Sequence, residues 1–431
     1  MGLGEGAVQK VGRRLVPYLF LCYIFNYLDR FNISFAALEM KADLGFGDAV
    51  YGLGAGIFFI GYTFFEVPSN LLLKRFGARV WISRIMVTWG LVACAMMLVK
   101  SALGFYLLRF TLGVAEAGFL PGVIYYLTHW VPAPQRARAF GLFLTSTALA
   151  GVVGGPLYAA IARLGGLAGL KSWQWLFLLE GIPSVLLGIF TFFYLTDRPR
   201  QAQWLTAGER TWLEGALEKE QREKRKRQGL TLLESLRHPR VWRLCFLYFA
   251  IVISFYGVSF WLPQIIKNFS GLSTPFVSLV SSLPYLAACV AMVFTAHHSD
   301  QSKERRWHVA IPAFAASLAL VLGAGFQEGY PWPAFLMLCV TAAGIWSTLG
   351  PFWSLPTLFL EGVGAAGGIA LINSIGNIGG FVGPNIIGFV KERTHHFESG
   401  MLVLAFSLLV AGLLALALKQ EHPDPKPVRR G

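Results

Sequence analysis

The sequence predicts an all-α integral membrane protein whose twelve membrane-spanning helices form two pseudo-symmetric six-helix bundles. Three observations lead there. Of 431 residues, 55% are hydrophobic and only 14% charged, with a mean hydropathy of +0.55; a soluble globular chain runs nearer ~25% charged. Twelve apolar segments reach the roughly 20 residues a helix needs to cross a hydrocarbon core. The one long polar stretch, 197–243, divides them six and six.

The segments run approximately 17–38, 50–73, 80–99, 103–130, 139–162 and 173–196, then 242–266, 275–297, 307–326, 333–360, 363–390 and 399–418. Lys10, Arg13 and Arg14 precede the first, which continues past Asp29 without a small-residue cleavage site and reads as a signal anchor. Gly6 stands where a myristoylation signal has Ser or Thr. Of the 37 lysines and arginines, twelve lie in the 197–243 loop, whereas only Lys41, Lys100, Arg163, Lys171, Lys267, Lys391 and Arg393 fall on the opposite side. The positive-inside rule therefore places both termini in the cytoplasm; a cell (inner) membrane is the expected location. The net charge of +14 sorts by membrane side, which argues against a nucleic-acid partner.

Three units follow: a first bundle over 1–196, a cytoplasmic connector over 197–241, and a second bundle with a short tail over 242–431. In the connector, Thr206 and Glu209 form a T-x-x-E capping box. Trp204, Trp212, Leu213, Ala216 and Leu217 make an apolar stripe, and Lys224 to Arg227 a basic run. This is an amphipathic helix on the membrane surface, either a plain connector or a contact for anionic lipid.

The halves echo one another. Gly151-Val-Val-Gly154-Gly155-Pro156 in segment five matches Gly380-Phe-Val-Gly383-Pro384 in segment eleven. Lys74-Arg-Phe-Gly-Ala-Arg79 after segment two matches Asp300-Gln-Ser-Lys-Glu-Arg-Arg306 after segment eight. A repeated six-plus-six bundle carries its substrate site at the midplane between halves. Over nearly its whole length the chain resembles the major facilitator superfamily, and within it the anion:cation symporter branch of tartrate, phthalate, hydroxyphenylacetate and sugar-acid transporters. Asn26-Tyr-Leu-Asp-Arg30, Gly61-Tyr-Thr-Phe-Phe-Glu-Val-Pro68, Arg75-Phe-Gly-Ala-Arg79, Arg109 to Glu116 and Phe177-Leu-Leu-Glu-Gly181 carry the resemblance. Lys74 stands where the superfamily's loop motif usually has Asp, while Asp300 fills the matching place in the second half.

Four ionisable residues sit inside apolar segments: Asp29 and Arg30 in the first, Arg109 and Glu116 in the fourth. Each costs roughly 2.5–3.5 kcal/mol at a bilayer centre, so such residues face a cavity and mark function. Arg109 and Glu116 are two helical turns, or about 10.5 Å, apart, too far for a direct bridge. Each therefore needs a partner from elsewhere, and Asp29-Arg30 supplies one of each sign. Arginine stays protonated and offers a planar fork for a carboxylate, whereas Asp29 and Glu116 can load and release a proton. Arg30 and Arg109 are thus candidate substrate-binding residues, and Asp29 and Glu116 candidate proton-coupling residues. The competing reading is a buried network in which the four neutralise one another.

In the second half, Trp353 with Asn373 and Asn377 offers a ring face and amides; the resemblance implies substrate contacts at Trp353, at Asn373 and at Tyr62 of segment two. Core packing and interhelical bonding are the competing readings. Tyr256, Trp261 and Gln264 are gate or cavity candidates, and Glu66, Glu180 and Glu361 read as helix-end or interhelix partners. Neither His297-His298 nor His395-His396 has metal-site spacing, the five cysteines have none either, and no P-loop is present, so no metal, cofactor, enzymatic activity or ATP coupling is expected. The expected activity is proton-coupled uptake of a small organic anion by a monomeric carrier among membrane lipids, with a hydroxy-dicarboxylate such as tartrate as substrate. Aromatic-acid or sugar-acid symport, sodium coupling, anion exchange, drug export and a non-transporting sensor remain open.

Overall fold

All twelve apolar segments are helical in the computed structural model, which describes residues 3–226, 232–327, 329–358, 360 and 362–418. The first bundle contains α1 (Leu3–Leu44), α2 (Asp48–Phe76), α3 (Ala78–Ala95), α4 (Ala102–Glu116), α5 (Phe119–Leu127), α6 (Ala133–Ile161) and α7 (Ser172–Tyr194). The connector holds α8 (Ala207–Lys226) and α9 (Leu232–Arg237). The second bundle contains α10 (Pro239–Ser270), α11 (Thr274–Val280), α12 (Ser282–Ser302) and α13 (Arg306–Phe326). It is completed by α14 (Pro331–Ser354), α15 (Gly362–Thr394) and α16 (Glu398–Ala417). Glu361, Arg227 and the tail residues Lys419, Lys426, Arg429 and Arg430 lie outside the described residues, as do the side chains of Arg136, Arg138 and Lys224 to Lys226.

Ten spans among the described residues are long and apolar enough to cross a membrane by length and composition. The first and eleventh segments, in α1 and α15, are not among them. Those two helices carry Asn26, Asp29, Arg30 and Asn32, and Asn373 and Asn377, in their middles.

Two segments break where continuous helices are expected. Segment four splits after Glu116: Gly118 takes a left-handed φ of 86°, and Pro121 cannot bond back to the Ala117 carbonyl. Segment eight splits at Ser281, three residues before Pro284. The first break leaves Glu116 as the last residue of its helix, with the chain turning beside it.

The bundles meet along α2–α15, α6–α11/α12 and α1–α10. At the end remote from the chain termini this interface is closed. Gly52 and Gly388 let α2 and α15 cross at backbone distance; a Cβ added at Gly52 would lie 3.1 Å from the Gly388 Cα. Asp48 pairs with Lys41 and with Lys391 at 3.2 Å, Lys41 also donates to Gln264 at 3.1 Å, and Tyr51 donates to the Phe260 carbonyl at 2.6 Å.

At the terminal end, α8 docks on α1. The Thr206/Glu209 capping box forms as expected, and Glu209 also pairs with Lys10 at 2.8 Å. The Lys10 ammonium, followed by the Thr206 N–H, holds the Glu209 carboxyl below its ordinary range. Trp204 stacks on Trp130 at 5.4 Å, and Leu213 and Leu217 are buried while Trp212 stays exposed. Asp197 accepts from the Arg79 N–H at 2.9 Å and caps α3, so an acid from the end of α7 stands beside the loop where Lys74 replaces the usual Asp. In the second bundle Asp300 pairs with Arg305 at 2.6 Å.

Candidate functional site

Residues four apart on a helix share a face, and Asn26 and Arg30 on α1 both turn toward the end of α4. Asn26 Nδ2 donates to Glu116 Oε1 at 2.6 Å, Arg30 Nε donates to the same oxygen at 3.1 Å, and Arg30 Nη2 also pairs with it. The remaining Arg30 nitrogen, Nη1, reaches across the bundle interface to the Tyr256 hydroxyl at 2.9 Å. The rings of Tyr27, Phe58 and Tyr62 surround the guanidinium at 5.0, 5.0 and 5.3 Å, a geometry that favours a cation. Arg30 is 6% exposed and Glu116 2%. A single carboxylate oxygen thus gathers three N–H donors at a bundle interface.

Asp29 does not join this group. One residue along a helix turns about 100°, and Asp29 faces α3 and α7, where its Oδ2 accepts from Trp89 Nε1 at 2.8 Å and Ser184 Oγ at 2.5 Å. Its Oδ1 is buried without a partner. Arg109 stands apart too. Fully buried, it donates from Nε to the Gly54 carbonyl and from Nη2 to the Ala55 carbonyl, both at 3.2 Å, and Nη1 has no partner. Arg109 has no ion pair among the described residues; the rings of Phe58 and Phe260 lie over it at 5.1 and 6.0 Å. Its two-turn separation from Glu116 holds, and so does the absence of a direct bridge between them.

On the second bundle, Trp353 is half-buried and packs edge-on against Tyr248 at 4.9 Å. Asn377 is buried one turn beyond Asn373 on α15. Asn373 Nδ2 donates to Glu66 Oε1 across the interface at 2.7 Å, while Glu66 Oε2 is buried and unpartnered. Glu66 follows Tyr62 by one turn and is 5% exposed; of the two readings offered by its position, it is the interhelix partner. Glu180 is likewise buried mid-helix in α7. Trp261 donates to the Pro384 carbonyl at 3.2 Å and belongs to the closed end, as does Gln264.

The structure therefore brings together Arg30, Glu116 and Tyr62, with Asn26 and Tyr256; Arg109 shares only the Phe58 ring with that group and bonds none of it, and Asp29 lies in separate surroundings. Asn26 was legible in principle, since it precedes Arg30 by one helical turn. Glu66 carried the same signal relative to Tyr62. The facing of Tyr256 had none, because nothing local in α10 marks which ring meets α1.

The Major Facilitator Superfamily profile matches residues 19–384. A protein of Agrobacterium vitis named "Putative tartrate transporter" is 45% identical over 422 residues, 98% of this chain and 93% of its own. A protein of Acinetobacter baumannii named "Quinolone resistance transporter" is 40% identical over 434 residues, covering 100% of both chains. Among solved structures, the inward-facing, occupied form of a bacterial homologue of the human lysosomal transporter Spinster superposes with a TM-score of 0.76 at 17% identity, over 93% of this chain and 95% of that one. Twelve helical segments in two bundles and these matches agree: the chain belongs to the major facilitator superfamily, and it is a membrane transporter rather than an enzyme.

Proposed function

We propose that this transporter takes up a small organic anion together with protons by alternating access, and that a hydroxy-dicarboxylate such as tartrate is its substrate. The observation that carries the reading is the convergence of Asn26 and Arg30 on one oxygen of Glu116. While Glu116 is ionised it occupies the guanidinium that a substrate carboxylate needs. Protonation of Glu116 weakens that pair and frees Arg30 for the bidentate contact, so proton and anion favour each other's binding by linkage. The names of the Agrobacterium vitis relatives support the substrate class.

In this reading Arg30 holds the substrate carboxylate, with Arg109 as the positive charge behind it. Tyr62, Trp353, Asn373 and Asn377 orient the rest of the molecule, and Glu116 and Asp29 carry protons. Residues 1–196 and 242–431 rock as two units joined by 197–241, with both termini in the cytoplasm of a cell whose inner membrane holds the carrier as a monomer. Purified protein in liposomes should accumulate labelled tartrate when the outside is acidic, and collapsing the gradient should abolish accumulation. Uptake that follows sodium and ignores pH would overturn the coupling.

A second reading, drug export, is favoured by the Acinetobacter baumannii relative. It separates from the first in the same vesicles: an exporter expels a fluoroquinolone under the gradient that drives tartrate in the opposite direction. A thermal-shift series of organic anions narrows the substrate, because a ligand that binds only the folded state raises its stability.

A further inference from the structure

Away from the Arg30 site, α1 and α7 run antiparallel, and their polar residues meet in rungs. Tyr18 donates to the Leu187 carbonyl at 2.9 Å and lies 2.7 Å from Thr191 Oγ1. Asp29 bonds Ser184, Asn32 lies beside Glu180, and Glu39 bonds Ser172. Asp43, at the remote end, accepts from Lys171 at 2.8 Å and from Trp173 at 2.7 Å. The residue numbers of each pair sum to nearly the same value, as a continuous antiparallel contact requires. Its middle is incompletely matched. Asp29 Oδ1, both polar atoms of the Asn32 amide and Glu180 Oε2 are buried without partners, and buried polar groups left in that state call for an explanation.

Glu180 is 2% exposed, and no ion pair to it or to Asp29 occurs among the described residues. A buried carboxyl with no cation beside it rests stably only when it holds a proton. The titratable group facing it is Asp29 from α1, and the Asn32 amide lies beside it. Ser184 follows Glu180 by one turn, donates to Asp29 and also lies 3.3 Å from the Glu180 carbonyl.

We propose that Glu180 is a further proton-holding residue of the transport cycle, which acts on Asp29 as its buried carboxyl neighbour, so that the two acids do not stand ionised together. The step balances as a plain ionisation: the Glu180 carboxyl gives its proton to water admitted as the bundles move, and takes one back from water later in the cycle. Glu180 acts through Asp29 and touches no substrate.

The inference rests on the proton-symport reading, and the test separates the two. Wild type, Glu180→Gln and Glu180→Asp, each confirmed as folded by its melting profile, are compared in liposomes with labelled tartrate. The expected result for Glu180→Gln is at least a tenfold loss of acid-driven initial uptake and a flattened dependence on external pH. Its tartrate–tartrate exchange should stay within twofold of wild type, and Glu180→Asp should recover at least a third of the driven rate. Driven uptake within twofold of wild type in Glu180→Gln overturns the proposal. So does loss of exchange together with uptake that Glu180→Asp fails to rescue, since that marks a packing role. A wild type indifferent to the proton gradient removes the symport reading and this inference with it.

Discussion

The two bundles divide the work unequally. In the membrane helices, the buried ionisable acids and bases among the described residues, Asp29, Arg30, Glu66, Arg109, Glu116 and Glu180, all belong to the first bundle. The second presents Tyr248, Tyr256, Trp353, Asn373 and Asn377, neutral groups with ring faces, hydroxyls and amides. The difference bears on the cost of motion. Arg30 and Glu116 neutralise one another inside a single bundle, so no ion pair at the site has to break when the bundles part. What breaks there are the bonds Arg30–Tyr256 and Glu66–Asn373. A hydrogen bond to a charged group contributes about 1.5–3 kcal/mol, whereas splitting a buried ion pair costs about 3–5 kcal/mol. In the proposed alternating-access cycle, keeping the charges on one side would lower the barrier to rocking.

Ways to break this division can be ranked by expected effect. Glu116→Gln imitates the protonated acid and removes its hold on Arg30. It should abolish accumulation against a gradient while leaving substrate binding and labelled exchange, as measured in liposomes. Full gradient-driven uptake would leave Asp29 as the coupling carboxyl. Arg30→Lys keeps the charge but loses the planar fork; substrate affinity should fall about 30- to 150-fold, corresponding to about 2–3 kcal/mol. Near-normal affinity by calorimetry would make Arg30 only a counter-ion.

Arg109→Lys tests the contrast between the two arginines. Its partners are the carbonyls of Gly54 and Ala55 on α2, so the loss should be read in folding, by about 1.5–3 kcal/mol, more than in substrate affinity. A variant that melts like wild type and does not bind substrate would place Arg109 in the site itself. On the neutral side, Trp353→Leu removes a ring face at about 0.5–1.5 kcal/mol. The substrate KM should rise about threefold to tenfold with the pH dependence of uptake unchanged; a shifted pH profile would show coupling in the second bundle as well.

The smallest effect belongs to the connector. Glu209 titrates below its ordinary value because Lys10 and Thr206 favour its charged form. A lowered folded value contributes stability above the unfolded pKa, about 4.3, and loses it as pH falls through the folded value. Protection of the α8 amides, measured against the intrinsic exchange rate at each pH, should therefore fall below about pH 4, and in Glu209→Gln it should already be lower at neutral pH. Equal exchange in both proteins would show that Trp204, Leu213 and Leu217 alone hold α8.

Much of the arrangement was legible along the chain. Apolar length gave the twelve segments, the 197–243 loop gave the division, and two-turn spacing correctly kept Arg109 and Glu116 apart. Less legible was the burial of Glu66 and Glu180, which read as helix-end or interhelix partners; Glu66 is an interhelix partner, of Asn373. Their burial depends on which neighbouring helix covers them, and Asn373 lies 307 residues from Glu66. The breaks after Glu116 and at Ser281 were missed because hydropathy is blind to backbone direction, although Gly118, Pro121 and Pro284 were in view.

By itself the sequence determined class, span count, halves and the presence of costly charges, because bilayer thickness and desolvation act on every segment whatever its neighbours. Tertiary structure alone decided which charge meets which. Asp29 and Arg30 are adjacent in the chain, yet a helix turns them to different neighbours, Asp29 to Trp89 and Ser184 and Arg30 to Glu116 and Tyr256. Pairing follows the rotation of each helix against its packing partners, and that rotation is set by contacts hundreds of residues apart rather than by local pattern.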